Sequence, residues 1–422
     1  RAANPGSQPD FYNVENRFVS GVMQGTVAEG VELKLQPFWR RWSQDSGVGD
    51  SWGGFYSQST DTSSVGVNGL VDVDRKLGPF GNRLVVGADW LYETDRRHTN
   101  YVSGGTTSPG NSSNRRYIVS GYLQEEIQLL EGLLVSGGVR YDYARYHETD
   151  WVGGSSERES FSRWNPKAAV TYRVIDPLSV YFSYAKGLRF PNFDEIYPVF
   201  GSTATVLQPE RSTSYEIGSK YRDAQVQAGL ALYWMDVENE ILYDPAAGAF
   251  GFGQNENIDE VRHMGVEASV SYRPAKWVEL YANYTYDNSE IRKYKKTPAV
   301  VGKQLPITPE NRGTVGFNLF FPVVPFDRAE LGVNANIVGS RYVANDLENR
   351  ARQLPVYGTV DLHGRLGKKF WDWLDVTLFF QVRNLNDEEY SQFAGLDGLG
   401  EVGFYPSPGT NFDVGLSFSL ER

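Results

Sequence analysis

The chain has 422 residues, no cysteine, 44 glycines and 14% aromatic residues, and carries a formal charge of -11. An acidic balance argues against a nucleic-acid partner, because phosphate binding needs clustered Lys and Arg. No run approaches the roughly 20 apolar residues of a transmembrane helix, so a membrane-spanning form of this chain must be a closed β-barrel, which also satisfies its own backbone. The missing cysteines suit an oxidising compartment as well as any other, since such a compartment permits disulfides without requiring them.

The opening residues Arg1 to Asp10 are polar and lack the apolar stretch of a signal peptide, which reads as a processed or truncated form. From Phe18 to Leu420 the chain then alternates apolar and polar residues, segment after segment. Leu133, Val135, Val139, Tyr141 and Tyr143 share one face of a predicted strand, with Ser136, Gly138, Arg140 and Asp142 on the other. Val278 to Tyr286 repeats the pattern, and so does the end of the chain, where Phe412, Val414, Leu416, Phe418 and Leu420 alternate with Asp413, Gly415, Ser417 and Ser419. A soluble antiparallel sheet alternates in the same way. Length separates the two: about 17 segments occur, most reaching the roughly 9 to 11 residues that cross a bilayer, whereas soluble strands average about 5 to 6.

Connection lengths alternate as well. Short ones fall at Glu29-Gly30, Gly78 to Asn82, Glu131-Gly132, Asp176-Pro177, Asp223-Ala224, Pro274 to Trp277, Val323 to Arg328 and Phe370 to Trp373. Long ones cover about 44–56, 98–114, 148–163, 187–210, 243–258, 288–310, 341–354 and 386–410. Outer-membrane barrels have short periplasmic turns and long external loops, which orients the chain. Trp277, Trp371, Trp373, Phe80 and Phe326 lie at the short turns and Tyr143, Tyr146, Tyr284 and Tyr286 toward the long loops, as two aromatic girdles require. Inward parity falls on Arg140, Asp142, Arg173, Glu267, Glu279, Asp361, Arg365, Asp375, Arg383 and Asp413, a charged lining for a polar filling or water. An odd count whose first and last strands both descend from a long loop does not close as an even-numbered barrel. Either an N-terminal part is missing or the count is off by one.

Two regions carry motifs. Val382-Arg383-Asn384-Leu385-Asn386-Asp387-Glu388-Glu389-Tyr390 leads to Tyr405-Pro406-Ser407-Pro408-Gly409-Thr410-Asn411-Phe412. Earlier stand Leu188-Arg189-Phe190-Pro191, Asp194-Glu195-Ile196-Tyr197, Leu207-Gln208-Pro209-Glu210 and Tyr215-Glu216-Ile217-Gly218, followed by Gly265-Val266-Glu267 and Leu305 to Arg312. In order and kind these blocks closely resemble the signatures of TonB-dependent outer-membrane receptors. The resemblance implies an all-β fold, a transmembrane antiparallel β-barrel of the 22-stranded plugged type, with about 17 strands in this chain. Residues 1–422 would then be the C-terminal part of that barrel. The plug and about five early strands would lie outside it, whether removed by cleavage or carried on another chain, which also resolves the odd count. Members usually close on an aromatic residue, a place that Phe418 would fill here.

The same resemblance implies active uptake of a scarce ligand, foremost a ferric siderophore or similar metal chelate, bound at external loops. Energy would come from the TonB-ExbB-ExbD complex through the N-terminal part, and lipopolysaccharide would surround the barrel. No cofactor is expected. Cobalamin, haem and glycans are alternative cargoes, haem disfavoured because no histidine lies between Pro191 and Pro209. The four histidines, His98, His147, His263 and His363, lack metal-ligand spacing. Loop residues suited to hold a chelate are Trp151, Arg189, Phe190, Tyr197, Tyr243, Phe250, Tyr342, Phe393 and Tyr405, and the basic run Arg292 to Lys296 could attract an anionic one. Arg189, Phe190 and Pro191 are better suited to shaping their loop than to choosing cargo. A passive porin is the competing reading. An outer-membrane enzyme is disfavoured, since no Gly-x-Ser-x-Gly elbow or other nucleophilic arrangement occurs.

Overall fold

A computed structural model describes residues 10–49, 54–151, 154–196, 207–244, 254–371, 373–396 and 400–420. It divides into two compact units, Arg1–Val170 with Ala185–Pro209, and Thr171–Tyr184 with Glu210–Arg422. In the first unit β1 (Phe11–Ser20) and β2 (Met23–Ala28) both pair with β3 (Val31–Gly49). Four more antiparallel strands follow: β4 (Phe55–Leu77), β5 (Phe80–Ser103), β6 (Thr106–Leu130) and β7 (Leu133–Asp150). The strands β8 (Ser155–Ile175) and β9 (Leu178–Arg189) contribute residues to both units.

The second unit continues as an antiparallel meander. Its strands are β10 (Glu210–Arg222), β11 (Val226–Asp244), β12 (Gln254–Ala275), β13 (Val278–Lys293), β14 (Asn311–Val323), β15 (Phe326–Val338), β16 (Tyr357–Phe370) and β17 (Leu374–Arg383). After β17 the chain forms a separate hairpin, β18 (Ser391–Leu396) with β19 (Val402–Pro406), before β20 (Asn411–Leu420) pairs with β17. With β1 and β2 taken as one interrupted strand and the hairpin set aside, seventeen strands stand among the described residues, as the alternation predicts. No described helix is long and apolar enough to cross a membrane.

Each strand separates two environments. On β20, Phe412, Val414, Leu416, Phe418 and Leu420 are 58–77% exposed, an apolar face that needs lipid rather than water. On β7 the opposite parity is buried, at Asp142, Ala144, Tyr146 and Glu148. Several charges on that inward parity find partners. Arg140 bridges Asp89 and Asp142 at 2.6 and 2.7 Å, Arg273 meets Glu279 at 3.0 Å, and Arg383 meets Asp413 at 2.7 Å. Aromatic pairs stud the outward face on the long-loop side, Tyr92 with Tyr117 at 4.8 Å and Tyr141 with Trp164 at 4.7 Å in the first unit, Tyr184 with Tyr215 at 5.3 Å in the second. At the short turns Trp371 stacks on Trp373 at 5.8 Å, and Trp277 is exposed.

Two expectations change. Tyr146 does not belong to the outer girdle: its even position turns it inward, opposite to Tyr143, and leaves it 1% exposed. Several long loops are also mostly strand. Between β5 and β6 only Gly104 and Gly105 turn the chain, both at positive φ, where glycine carries no Cβ penalty. Strands that rise beyond the bilayer meet polar surroundings on both faces, so their alternation fades while their backbone pairing continues.

Glycines on the inward face let tyrosines lie across neighbouring strands. A Cβ on Gly87 would overlap the Tyr122 ring, one on Gly218 the Tyr181 ring and one on Gly316 the Tyr281 ring. Arg140 in turn lies 5.5 Å over Tyr122, and Lys220 lies 5.3 Å over Tyr181. Gly87→Ala should destabilise the folded protein by about 1–3 kcal/mol through overpacking. In a Tyr122→Ala background the same change should cost little, because the ring it strikes is gone. Denaturant unfolding of the four proteins in lipid vesicles measures that coupling.

Candidate functional site

In the first unit the segment after β9 folds onto the inward faces of β6 and β7. The Arg116 guanidinium is held by Glu93 at 2.9 Å, both side chains being largely buried, and donates to the Pro191 carbonyl at 3.0 Å. The Tyr146 hydroxyl donates to the same carbonyl at 2.8 Å. Phe193 then packs edge-on against Tyr146 at 6.2 Å and beneath Arg116 at 5.2 Å. Within the segment Arg189 pairs with Glu195 at 2.8 Å, and the Asn192 N–H donates to that same carboxylate at 2.8 Å, closing the turn that starts the short helix Phe193–Ile196. The motif around Pro191 is therefore a docked backbone bend.

In the second unit the connections themselves carry a core. Ile258, Val261, Ile291, Tyr294, Val300, Leu305 and Leu347 form one buried apolar cluster, joining the ends of β12 and β13 to the β13–β14 and β15–β16 connections. Asn349 stitches those two connections together. Its carbonyl oxygen accepts from the Gln304 N–H at 2.8 Å and its amide donates back to the Gln304 carbonyl at 2.9 Å. Asp346 is 3% exposed and accepts from the N–H groups of Arg350 and Ala351, both at 2.9 Å, so its charge fixes the turn. The Tyr294 hydroxyl donates to Asp244 at 3.0 Å, and burial, then that carboxylate, push its pKa above the ordinary phenol value.

The β18–β19 hairpin is fastened to this layer. The Ala344 N–H donates to the Ala394 carbonyl at 2.7 Å, and the Leu396 N–H donates to the Ala344 carbonyl at 3.0 Å. Val343, Leu354 and Ala394 bury one another beneath it. Arg341, 4% exposed, donates to the carbonyls of Ser391 and Gln392 at 3.2 and 2.7 Å and lies 5.5 Å over Tyr357, itself stacked on Tyr390 at 4.3 Å. Burial pulls the Arg341 pKa below the ordinary arginine value. Between hairpin and connections lies a cavity of about 350 Å³, lined by Asp244, Thr297, Val300, Asn345, Asp346, Leu347, Glu348, Arg350, Ala351, Leu396 and Gly400. That volume is at the lower end of ligand pockets, and its mixed lining suits a partly polar guest.

The predicted contact residues fall into separate places. Trp151 is 66% exposed in the β7–β8 turn, where its N–H donates to the Asn111 carbonyl at 2.9 Å. Phe190 is half-buried beside Arg189. In the second unit Tyr243 is exposed near the end of β11, and Tyr342 lends its carbonyl to the Ile307 N–H at 2.8 Å. Phe393 and Tyr405 come together on the hairpin as an exposed edge-to-face pair at 5.3 Å. Tyr197 and Phe250 lie outside the described residues. The basic run is largely spent on ion pairs: Arg292 with Glu290 at 2.8 Å, Lys295 with Asp259 at 3.5 Å and Lys296 with Glu256 at 2.5 Å. Among the described residues no group of three or more His, Cys, Asp or Glu is placed to hold a metal ion.

Arg116, Tyr146 and Arg341 escape a reading by sequence, since each acts on a backbone group far along the chain. Asp346 escapes it because a lone carboxylate in a polar stretch reads as solvated, although it holds a local turn. Tyr146→Phe removes one hydrogen bond to Pro191, worth about 1 kcal/mol, and should raise local opening of residues 190–196 roughly fivefold in hydrogen exchange. Arg341→Ala should free the β18–β19 hairpin, seen as faster proteolysis within residues 391–406 with the strands still protected.

Comparison with known proteins agrees with this architecture. The family described as "TonB dependent receptor-like, beta-barrel" matches residues 3–385. The ferrichrome outer membrane transporter/phage receptor of Escherichia coli K12 is 24% identical over 271 residues, covering 64% of this chain and 34% of that protein. An uncharacterized TonB-dependent receptor of Haemophilus influenzae is 23% identical over 332 residues, covering 75% of this chain and 91% of that protein. Among solved structures, the unliganded ferric citrate transporter FecA superposes with a TM-score of 0.76 at 18% identity, covering 97% of this chain and 62% of that one. The chain thus spans about a third of the ferrichrome transporter and under two thirds of the ferric citrate transporter. The family is made of receptors and transporters, not enzymes, and this chain belongs to it, a TonB-dependent receptor β-barrel of the outer membrane.

Proposed function

We propose that this chain is the barrel part of a receptor that captures a scarce ferric siderophore or similar metal chelate and imports it with energy from the TonB-ExbB-ExbD complex. One observation carries the reading: the connections on the long-loop side pack around their own apolar core and border an open pocket of about 350 Å³. Ordering so many loop residues costs conformational entropy, which a preorganised binding surface recovers in affinity. The names of the relatives for ferrichrome and ferric citrate support an iron chelate as cargo.

In this reading residues 1–422 form the C-terminal part of the barrel, and the plug and early strands that TonB acts on lie outside them. Phe393 with Tyr405, and Trp151, offer exposed rings for a planar chelating group. Tyr243 and Tyr342, with Tyr197 and Phe250 outside the described residues, are further candidate contacts, while Arg189 and Phe190 hold the bend at Pro191. Lipopolysaccharide surrounds the outer half of the barrel.

Uptake of radioactive iron chelates by cells carrying the complete receptor tests the proposal. Accumulation should be saturable and should vanish in cells lacking TonB or when the proton gradient is collapsed. A stable open pore formed by the complete receptor in planar bilayers, with solute flow that only follows its gradient, would overturn it in favour of a porin.

A further inference from the structure

On the inward face of the second unit, the strands β11, β12 and β13 meet at one imidazole. The His263 ring lies between Glu240, whose Oε2 is 3.2 Å from Nε2, and Ser289, whose Oγ is 2.8 Å from Nδ1. Ser289 is 3% exposed and spends its own proton on Asp287 Oδ1 at 2.9 Å. Its oxygen is left to accept from the ring, and the Glu240 carboxylate accepts as well. Both ring nitrogens then carry hydrogen, so the geometry fits the imidazolium and not the neutral ring.

The site stands above the bilayer. The girdle residues Tyr284 and Tyr286 pair with Ala268 and Val266, and His263, paired with Ser289, lies beyond both. Glu240 has the outward parity of Trp234, yet Asn239 before it adopts a left-handed φ of 58°, and Glu240 meets the ring. Three carboxylates act on the imidazole, Glu210 from β10, Glu240 from β11 and Asp287 from β13. Tyr233, Glu267 and Arg312 stand next along the same wall, and the β13–β14 connection adds Glu310, which is taken by Gln304. Burial works against the ring's charge, but Glu240, Asp287 and Glu210 outweigh it and raise the pKa above the ordinary 6.5.

The ring also stands at the foot of the apolar cluster. Val261 and Ile291, the next inward residues on β12 and β13, are fully buried within it. The Ser289 carbonyl accepts from the Leu305 N–H at 2.9 Å and the Ile291 carbonyl from the Gly302 N–H at 2.8 Å. These bonds fix the connection that brings Thr297 and Val300 to the pocket wall.

We propose that Glu240, His263, Ser289 and Asp287 form a proton-operated clasp that orders the β13–β14 connection and the pocket wall it carries. When the ring loses its proton, one of its two acceptors is left without a donor and the carboxylates lose the positive charge between them. Because the folded-state pKa is raised, the stabilisation is fully present below pH 6.5 and is lost as pH rises through the higher folded value. The connection is therefore closed in acid and looser in alkaline surroundings.

Hydrogen exchange of the complete receptor in lipid vesicles tests the clasp at the amides of Ile291, Gly302 and Leu305, after correction for the intrinsic pH dependence of exchange. Between about pH 5.5 and about pH 8.5 their opening should rise on the order of tenfold, the equivalent of about one pKa unit. In His263→Gln, which carries no titrating proton, opening should be the same at both pH values, whereas His98→Gln should show the wild-type step. A wild type without the step, or a step that survives in His263→Gln, overturns the clasp. Carbon-13 titration of labelled histidines in the wild type gives an independent reading, with His263 assigned by elimination through His98→Gln, His147→Gln and His363→Gln. Its pKa should lie above 6.5 and fall in Glu240→Gln, and a value at or below 6.5 overturns the proposal as well. These readouts contain no chelate, so they stand or fall apart from the transport reading.

Discussion

Every backbone N–H and C=O that crosses a bilayer must be paired within the protein, because the hydrocarbon offers no partner. In this chain that demand is met by strand-to-strand ladders, from β3 against β4 to β17 against β20. Pairing through both edges leaves an interior strand only its two faces, and those faces meet different surroundings. The exposed Phe412-to-Leu420 row, the buried Asp142-to-Glu148 row and the tyrosines laid over glycines all follow from this division.

The division outlasts the bilayer. Above the aromatic pairs the outward face of β5 to β8 exchanges apolar residues for arginine, while the inward face mixes carboxylates and amides with the buried Arg97 and Arg116. Thr62 and Asn114 both donate to Asp95, at 2.8 and 3.4 Å, so even the buried carboxylate of that inward wall is satisfied locally. Strand pairing therefore continues as a scaffold for polar chemistry after its original cause, the exclusion of water, has ended. It also carries the bend at Pro191, whose carbonyl is held by two residues from neighbouring strands.

Loop residues obey a different logic. Asp346 and Asn349 are polar residues in a polar stretch, and their composition alone suggests solvated turns. Their side chains instead accept and donate at fixed backbone groups, and Asn345 and Asn349 adopt the left-handed conformation that asparagine tolerates. Leu347, between them, is thereby driven into the apolar cluster formed with Ile258 and Ile291. The basic run from Arg292 to Lys296 looks like an anion trap when read in line, yet Glu290, Asp259 and Glu256 come from the same or an adjacent strand to meet it.

Period-two alternation, the parity of turn lengths and the motif blocks near Pro191 and Asn384 determined the fold class, the strand count and the family from sequence alone. Those features are local, because a strand's facing repeats every second residue and a turn is set by its own few residues. Alternation could not tell where strands end beyond the membrane, since both faces are polar there. The girdle reading misplaced Tyr146, whose even position sets it opposite Tyr143, and the structure turns it to Pro191. Only the tertiary structure decided that Arg341 fastens the hairpin, that a cavity opens beneath Leu396 and that His263 stands between Glu240 and Ser289. These contacts join residues distant in the chain, and their register depends on many strands pairing at once.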